Sequence, residues 1–138
     1  MDITTLSVAD TAAIHLKNAN GELLYDGDKP VRIIVYGPGS KAYGTVEGRQ
    51  SNRAVKRMQD NDNKITVAAY EERVAETAED LAAITLRFEN LTYPPAGDAQ
   101  GADLFAAVYR DQALGFIVKQ VAKYISDWSN FSKSSVAS

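Results

Sequence analysis

Pro30-Val31-Arg32-Ile33-Ile34-Val35-Tyr36-Gly37-Pro38-Gly39-Ser40 is the stretch that divides the chain. Val31, Ile33 and Val35 fall on one face of an extended segment and Arg32, Ile34 and Tyr36 on the other, the period-two signature of a strand. Pro30 suits a strand start, where its missing N–H costs little. Gly37-Pro38-Gly39 stops the strand, and Ser40 is then placed as an N-cap, its hydroxyl accepting from the free N–H groups of a first helical turn. The chain before this stretch reads as β, and the chain after it reads as α.

Upstream, Ala13-Ile14-His15-Leu16-Lys17 alternates apolar and polar. Asn20-Gly21 tolerates the positive φ of a tight turn, so Glu22 to Tyr25 is expected to return as a second strand. Asp26-Gly27-Asp28 marks another turn before the strand from Pro30 to Tyr36. The expectation is a three-stranded antiparallel meander.

Downstream, Lys41 to Asp60 has helical composition but a thin apolar stripe of Tyr43, Val46, Gln50, Ala54 and Met58. Gly44 and Gly48 each cost up to ~1 kcal/mol relative to Ala. Such a helix is expected to be only partly packed, with a mobile N-terminal half. Asn61 to Lys64 reads as a turn. Thr66 is placed to cap a second helix with Tyr70, Val74, Ala78, Leu81, Ile84 and Phe88 at helical spacing, and with Glu71, Glu72, Glu76 and Glu79 on its wet side. Asn90 to Gly101, with Pro94-Pro95, reads as a loop. Asp103 is expected to cap a short helix through Tyr109. Asp111 or Gln112 is expected to open a longer one bearing Leu114, Ile117, Val118, Val121, Tyr124, Ile125 and Trp128, extended by Phe131. Strands followed by about four helices predict an α+β domain. Its expected limits are 11–131, with an N-terminal arm over 1–10 and a flexible polar tail over 132–138.

The chain has 138 residues, the length of one ordinary domain. Hydrophobic residues at 45% and charged residues at 24% give a globular balance that argues against wholesale disorder. A formal net charge of −3 argues against a chain built mainly for nucleic acid or anionic membrane. With no cysteine, disulfides, thiolate nucleophiles and zinc–thiolate sites are excluded. The first ten residues lack the cationic and apolar regions of a signal peptide, and no run approaches the ~20 apolar residues that span a bilayer.

Candidate chemistry is sparse. His15, the only histidine, cannot build a metal cluster and reads as a half-exposed strand residue. Gly37 to Lys41 joins a strand to a helix but lacks the Gly-Lys-Ser/Thr ending and the spacing of a phosphate loop. Asp60-Asn61-Asp62-Asn63 lacks the glycine and the terminal Glu of a calcium loop. Glu71 and Glu72 point about 100° apart on a helix and form no carboxylate pair. No cofactor or metal is expected, and no acid–base pair or nucleophile points to an enzyme. Arg49, Arg53, Lys56 and Arg57 make a basic stripe at helical spacing, either a solvated face or a contact surface. Trp128 and Phe131 are either core aromatics or an anchor for another subunit.

The segment Tyr109 to Ile117, continuing through Gln120-Val121, Ile125, Asp127-Trp128, Asn130-Phe131 and Lys133, resembles the closing segment of tail assembly chaperones of tailed bacteriophages and prophages. Val35 to Ser40, followed by a polar Arg-rich helix through Asn52-Arg53, is also similar. The resemblance runs from about Ala13 to Lys133, with the loop from Tyr93 to Gly101 unmatched. It implies a non-enzymatic protein that binds the long, largely helical tape-measure protein, keeps it soluble in the host bacterial cytoplasm, and is displaced as the tail tube polymerises. Self-association, and contacts with other tail proteins, are expected with it. Arg49, Arg53, Lys56, Arg57, Trp128 and Phe131 are the expected protein contacts. Two alternatives stay open: a structural tail or head–tail connector protein retained in the virion, and a small nucleic-acid-binding regulator, which the net charge disfavours.

Overall fold

The computed structural model describes residues 1–60 and 69–133. The elements are β1 (Thr11–His15), β2 (Tyr25–Asp26), β3 (Lys29–Pro30), β4 (Arg32–Tyr36), α1 (Lys41–Asp60), α2 (Tyr70–Ala83), β5 (Thr85–Glu89), α3 (Gly101–Arg110) and α4 (Gly115–Ser126). Short 3-10 turns cover Ile3–Leu6, Pro94–Ala96, Gln112–Leu114 and Trp128–Phe131. The fold is α+β, with an antiparallel sheet ordered β1-β4-β5 and four α-helices among the described residues. The expected Asn61 to Lys64 turn, the Thr66 cap, Asp62 and the tail beyond Lys133 lie outside the described residues.

β4 is the central strand because it can bury both faces. Val31, Ile33 and Val35 point into the core, and Ile34 on the other face is also buried. Its neighbours are set in register, Ile14 opposite Ile33 and Ala12 opposite Val35 on one side, Phe88 opposite Ile33 on the other.

The third strand is not the one expected. Residues 22–24 do return along the end of β1, with a Lys17–Leu23 bridge and the Leu24 N–H donating to Leu16 O at 2.9 Å. The chain then turns away into the β2–β3 hairpin, Gly27 supplying a φ of 65° at its turn. The free edge of β4 is taken by Thr85–Glu89, which the helical spacing of Leu81, Ile84 and Phe88 assigns to the second helix. Those positions satisfy a period of 3.6, but Ile84, Leu86 and Phe88 satisfy a period of 2 equally well. Tertiary pairing decides between them. The Tyr36 N–H donates to Ile84 O at 2.8 Å, and Arg32 meets Glu89 at 2.8 Å. Thr85, now buried, donates its hydroxyl to Leu81 O at 2.7 Å and lies 2.8 Å from the Tyr109 hydroxyl. Burial pushes the Tyr109 phenol up to about 12, so it stays protonated at any ordinary pH.

The closing helix is also shorter than expected. Asp111 caps only the turn Gln112–Leu114, accepting from the Ala113 N–H at 3.0 Å, and α4 begins at Gly115. Asp127 ends it by capping the turn Trp128–Phe131, accepting from the Ser129 N–H at 3.0 Å. Asp side chains that bond the backbone two residues on compete with helix continuation. Asp103 lies in the first turn of α3 and is not its cap, a position held by Gln100.

Gly37 and Ser40 form the joint between the two halves. Ser40 donates its hydroxyl to Gly37 O at 2.7 Å and accepts from the Tyr43 N–H at 3.2 Å, which makes it the N-cap of α1. The fully buried Phe131 ring covers Gly37, where a Cβ would fall 2.6–2.7 Å from ring atoms Cε1 and Cγ. The N-terminal segment joins the same place, the Ala9 N–H donating to Phe131 O and the Gly37 N–H to Asp10 O, both at 2.7 Å. Of the expected arm, residues 1–6 are exposed, whereas Val8 packs against the core.

Gly37→Ala is expected to cost about 1–3 kcal/mol, because the new methyl overlaps a ring that cannot withdraw. Gly44→Ala meets open space on a helix and is expected to stabilise by about 0.5–1 kcal/mol. Thermal denaturation of the two variants checks the opposite signs.

Candidate protein-contact surface

α1 is a 20-residue helix in which Val46 is the one buried residue. Burial of an apolar stripe, the usual source of helix stability in a protein, is therefore slight here. Polar bonds to α2 take its place. Asp80, buried on α2, accepts from Arg53 through both of its oxygens at 2.9 and 2.7 Å, from Arg49 at 3.1 Å and from Gln50 at 3.0 Å. Arg49 also donates to Glu79 O at 3.4 Å, and Arg57 pairs with Glu76. Gln50, read as part of the apolar stripe, is there for this carboxylate.

Burial alone would push the Asp80 carboxyl up, but hydrogen bonds from Arg53, Gln50 and Arg49 outweigh it and hold the group below its ordinary value. A bidentate Arg–carboxylate fork is the strongest of these contacts. Asp80 is easily overlooked in the sequence because it sits among Glu76, Glu79 and other acidic residues that look alike in composition. The signal that could expose it is positional: Asp80 directly precedes the Leu81-Ala82 pair and follows Ala78 by two residues, all buried, whereas Glu71, Glu72 and Glu79 stay exposed.

The basic stripe is therefore divided. Arg49, Arg53 and Arg57 are committed to α2, and exposed Lys56 remains at the surface. The aromatic pair divides too. Phe131 is core, meeting Tyr124 edge-to-face with ring centres 5.7 Å apart, whereas Trp128 is 56% exposed beside Gly39. Val55 and Met58, one turn apart on α1, add exposed apolar surface to its outer face.

His15 is half-buried, its Nε2–H donating to Leu24 O at 2.8 Å and its ring meeting Tyr25 edge-on. This bonding holds the β2–β3 segment against β1. Among the described residues, no cluster of three or more His, Asp or Glu side chains is arranged to hold a metal ion. No helix among them is long and apolar enough to cross a membrane. Gly37 to Lys41 forms the turn from β4 into α1.

A groove of about 400 Å³ lies where α2, α3 and α4 meet, with Tyr70, Val74 and Val118 on its walls and Arg73 and Lys119 at its rim. Set against known proteins, the chain matches no family model, no curated protein and no solved structure.

Asp80→Ala is expected to destabilise by about 3 kcal/mol, since it strands the guanidinium groups around a buried site. Arg49→Ala, at a more exposed position, is expected to cost under ~1 kcal/mol. Because the folded-state pKa of Asp80 is depressed, its contribution is complete above the unfolded value of about 3.9 and fades as pH falls through the lower folded value. Urea titrations at pH 7 and at acid pH are expected to show the wild-type advantage over Asp80→Asn shrinking on acidification.

Proposed function

We propose that this chain is a phage tail assembly chaperone that binds the tape-measure protein and keeps it soluble until the tail tube forms around it. The reading rests first on the resemblance of residues Tyr109 to Lys133 and Val35 to Ser40 to that family. The structural observation that supports it is the outer face of α1, where Val55 and Met58 stand 49% and 37% exposed at helical spacing. A helix presenting i, i+3 apolar anchors suits a partner that is itself a long helix.

Magnitude favours a reversible role. Fully burying a side chain of this size yields roughly 1.5–3 kcal/mol, and these two are already half covered. One such contact gives at most a few kcal/mol, a dissociation constant near millimolar or weaker. Several copies along one long client can hold it firmly while each copy remains displaceable. Work in the bacterial cytoplasm, before particle assembly, belongs to this proposal.

Co-expression with the tape-measure protein of the same phage tests it. The soluble fraction of the client is expected to rise several-fold with the wild-type chain and to fall back with Val55→Asp/Met58→Asp, whose own melting temperature should be unchanged. A client equally soluble without this chain would end the proposal.

A further inference from the structure

β1 lies at the rim of the sheet, with β4 on one side and no strand on the other among the described residues. In an antiparallel pair the N–H and C=O of one residue point the same way, and the direction alternates along the strand. The Gly37 N–H donates to Asp10 O at 2.7 Å and the Leu16 N–H to Val31 O at 3.0 Å, so the even-numbered residues face β4. Thr11, Ala13, His15 and Lys17 therefore turn their backbone groups outward.

At that rim α4 supplies side chains where a further strand would lie. Gln120 holds both groups of Lys17, accepting from its N–H at 2.8 Å and donating to its carbonyl at 2.6 Å. One turn on, the Tyr124 hydroxyl reaches Ala13 O at 3.4 Å, longer than a full O–H···O bond. The Ala13 and His15 N–H groups donate to no protein group among the described residues. A groove of about 740 Å³ runs beside them, between β1 and the second half of α4, and extends to Asp127 and Asn130.

The charge of this groove is one-sided. Lys17 and Lys123 line it, both exposed and without an ion-pair partner among the described residues. Its carboxylate, Asp127, already accepts from the Ser129 N–H at 3.0 Å and the Ser129 hydroxyl at 2.6 Å. A sheet edge with outward N–H groups is a template for strand addition, in which main-chain bonds give affinity and the flanking side chains give selectivity. Here the flanking side chains select for acid.

We propose that the β1 edge captures an extended, acidic peptide segment of another protein, which adds as a fourth strand along Thr11–His15 with an acidic side chain against Lys17 and Lys123. The Tyr124 hydroxyl gives up Ala13 O to a strand N–H, while Gln120 stays and marks where the pairing ends. This stands apart from the chaperone reading: α1 takes no part, and the ligand is extended, not helical.

Fluorescence anisotropy with three labelled hexapeptides tests it: TVTVEE, TVTVKK and TVPVEE. The acidic peptide is expected to bind at least tenfold more tightly than the lysine peptide, and the proline peptide, which lacks a main-chain donor, at least tenfold more weakly than TVTVEE. Ala13→Pro removes an outward N–H and no ladder bond. It is expected to melt like the wild type and to lose at least tenfold in affinity for TVTVEE. Lys17→Glu/Lys123→Glu, at exposed positions, should reverse the preference between TVTVEE and TVTVKK. If Ala13→Pro fails to fold, amide exchange of the wild type decides, since saturating TVTVEE must slow the Ala13 and His15 N–H groups. No binding of TVTVEE up to millimolar concentration, equal binding of the proline peptide, or full affinity in folded Ala13→Pro would each overturn the proposal. So would a wild-type oligomer that Ala13→Pro dissolves, because a second copy would then be the occupant of the edge.

Discussion

The Phe131 ring occupies the space a side chain on residue 37 would need, and the rest of the architecture hangs on that contact. Gly37 is where the central strand ends and the turn into α1 begins. Phe131 is where the last 3-10 turn ends, and its carbonyl takes the Ala9 N–H. One ring therefore joins the chain's beginning, its middle and its end. The sheet, α4 and the entry to α1 are held in one cooperative unit by an aromatic side chain packed on backbone, which is possible only because residue 37 has no Cβ.

The two halves of the helical layer are stabilised by different physics. α2, α3 and α4 share the apolar core through Ala78, Leu81, Phe105, Ile117, Val121 and Ile125. α1 joins through Asp80 and the groups that bond it. An interaction of this kind depends on charge state and on complete hydrogen bonding, whereas an apolar interface depends mainly on area. It also leaves the other face of α1 uncovered, with Val55 and Met58 exposed there. The uncovered outer face of α1 and its polar attachment to α2 have the same cause: this helix has almost no apolar stripe to place in its own core.

Much of this is legible in the sequence. The strand from Arg32 to Tyr36, the Gly-Pro-Gly stop, the Ser40 cap and the start of α1 follow from local rules that act over four or five residues. The turn signals at Gly21 and Gly27 are legible for the same reason. Length is what misleads. Leu81 to Phe88 fits both periodicities, and Leu114 to Phe131 carries one apolar pattern across an aspartate cap. In the candidate contact surface, the basic residues are visible as a stripe, but not that three of the four point at acidic partners on α2. The exposure of Trp128 and the burial of Phe131, three residues apart, come after the break at Asp127, where the helical pattern that would put both on one face no longer holds.

Composition and short-range pattern alone determined that this chain is an α+β domain without thiol chemistry, opening on strands that lead into helices. They did so because backbone preferences and turn chemistry are local. Tertiary structure alone decided which segment pairs with the free edge of β4, which charges are consumed internally, and which apolar residues remain outside. Those outcomes depend on neighbours distant in sequence. Asp80 is buried and multiply bonded only because Arg49, Gln50 and Arg53 arrive from about thirty residues away, a meeting that no short window along the chain contains.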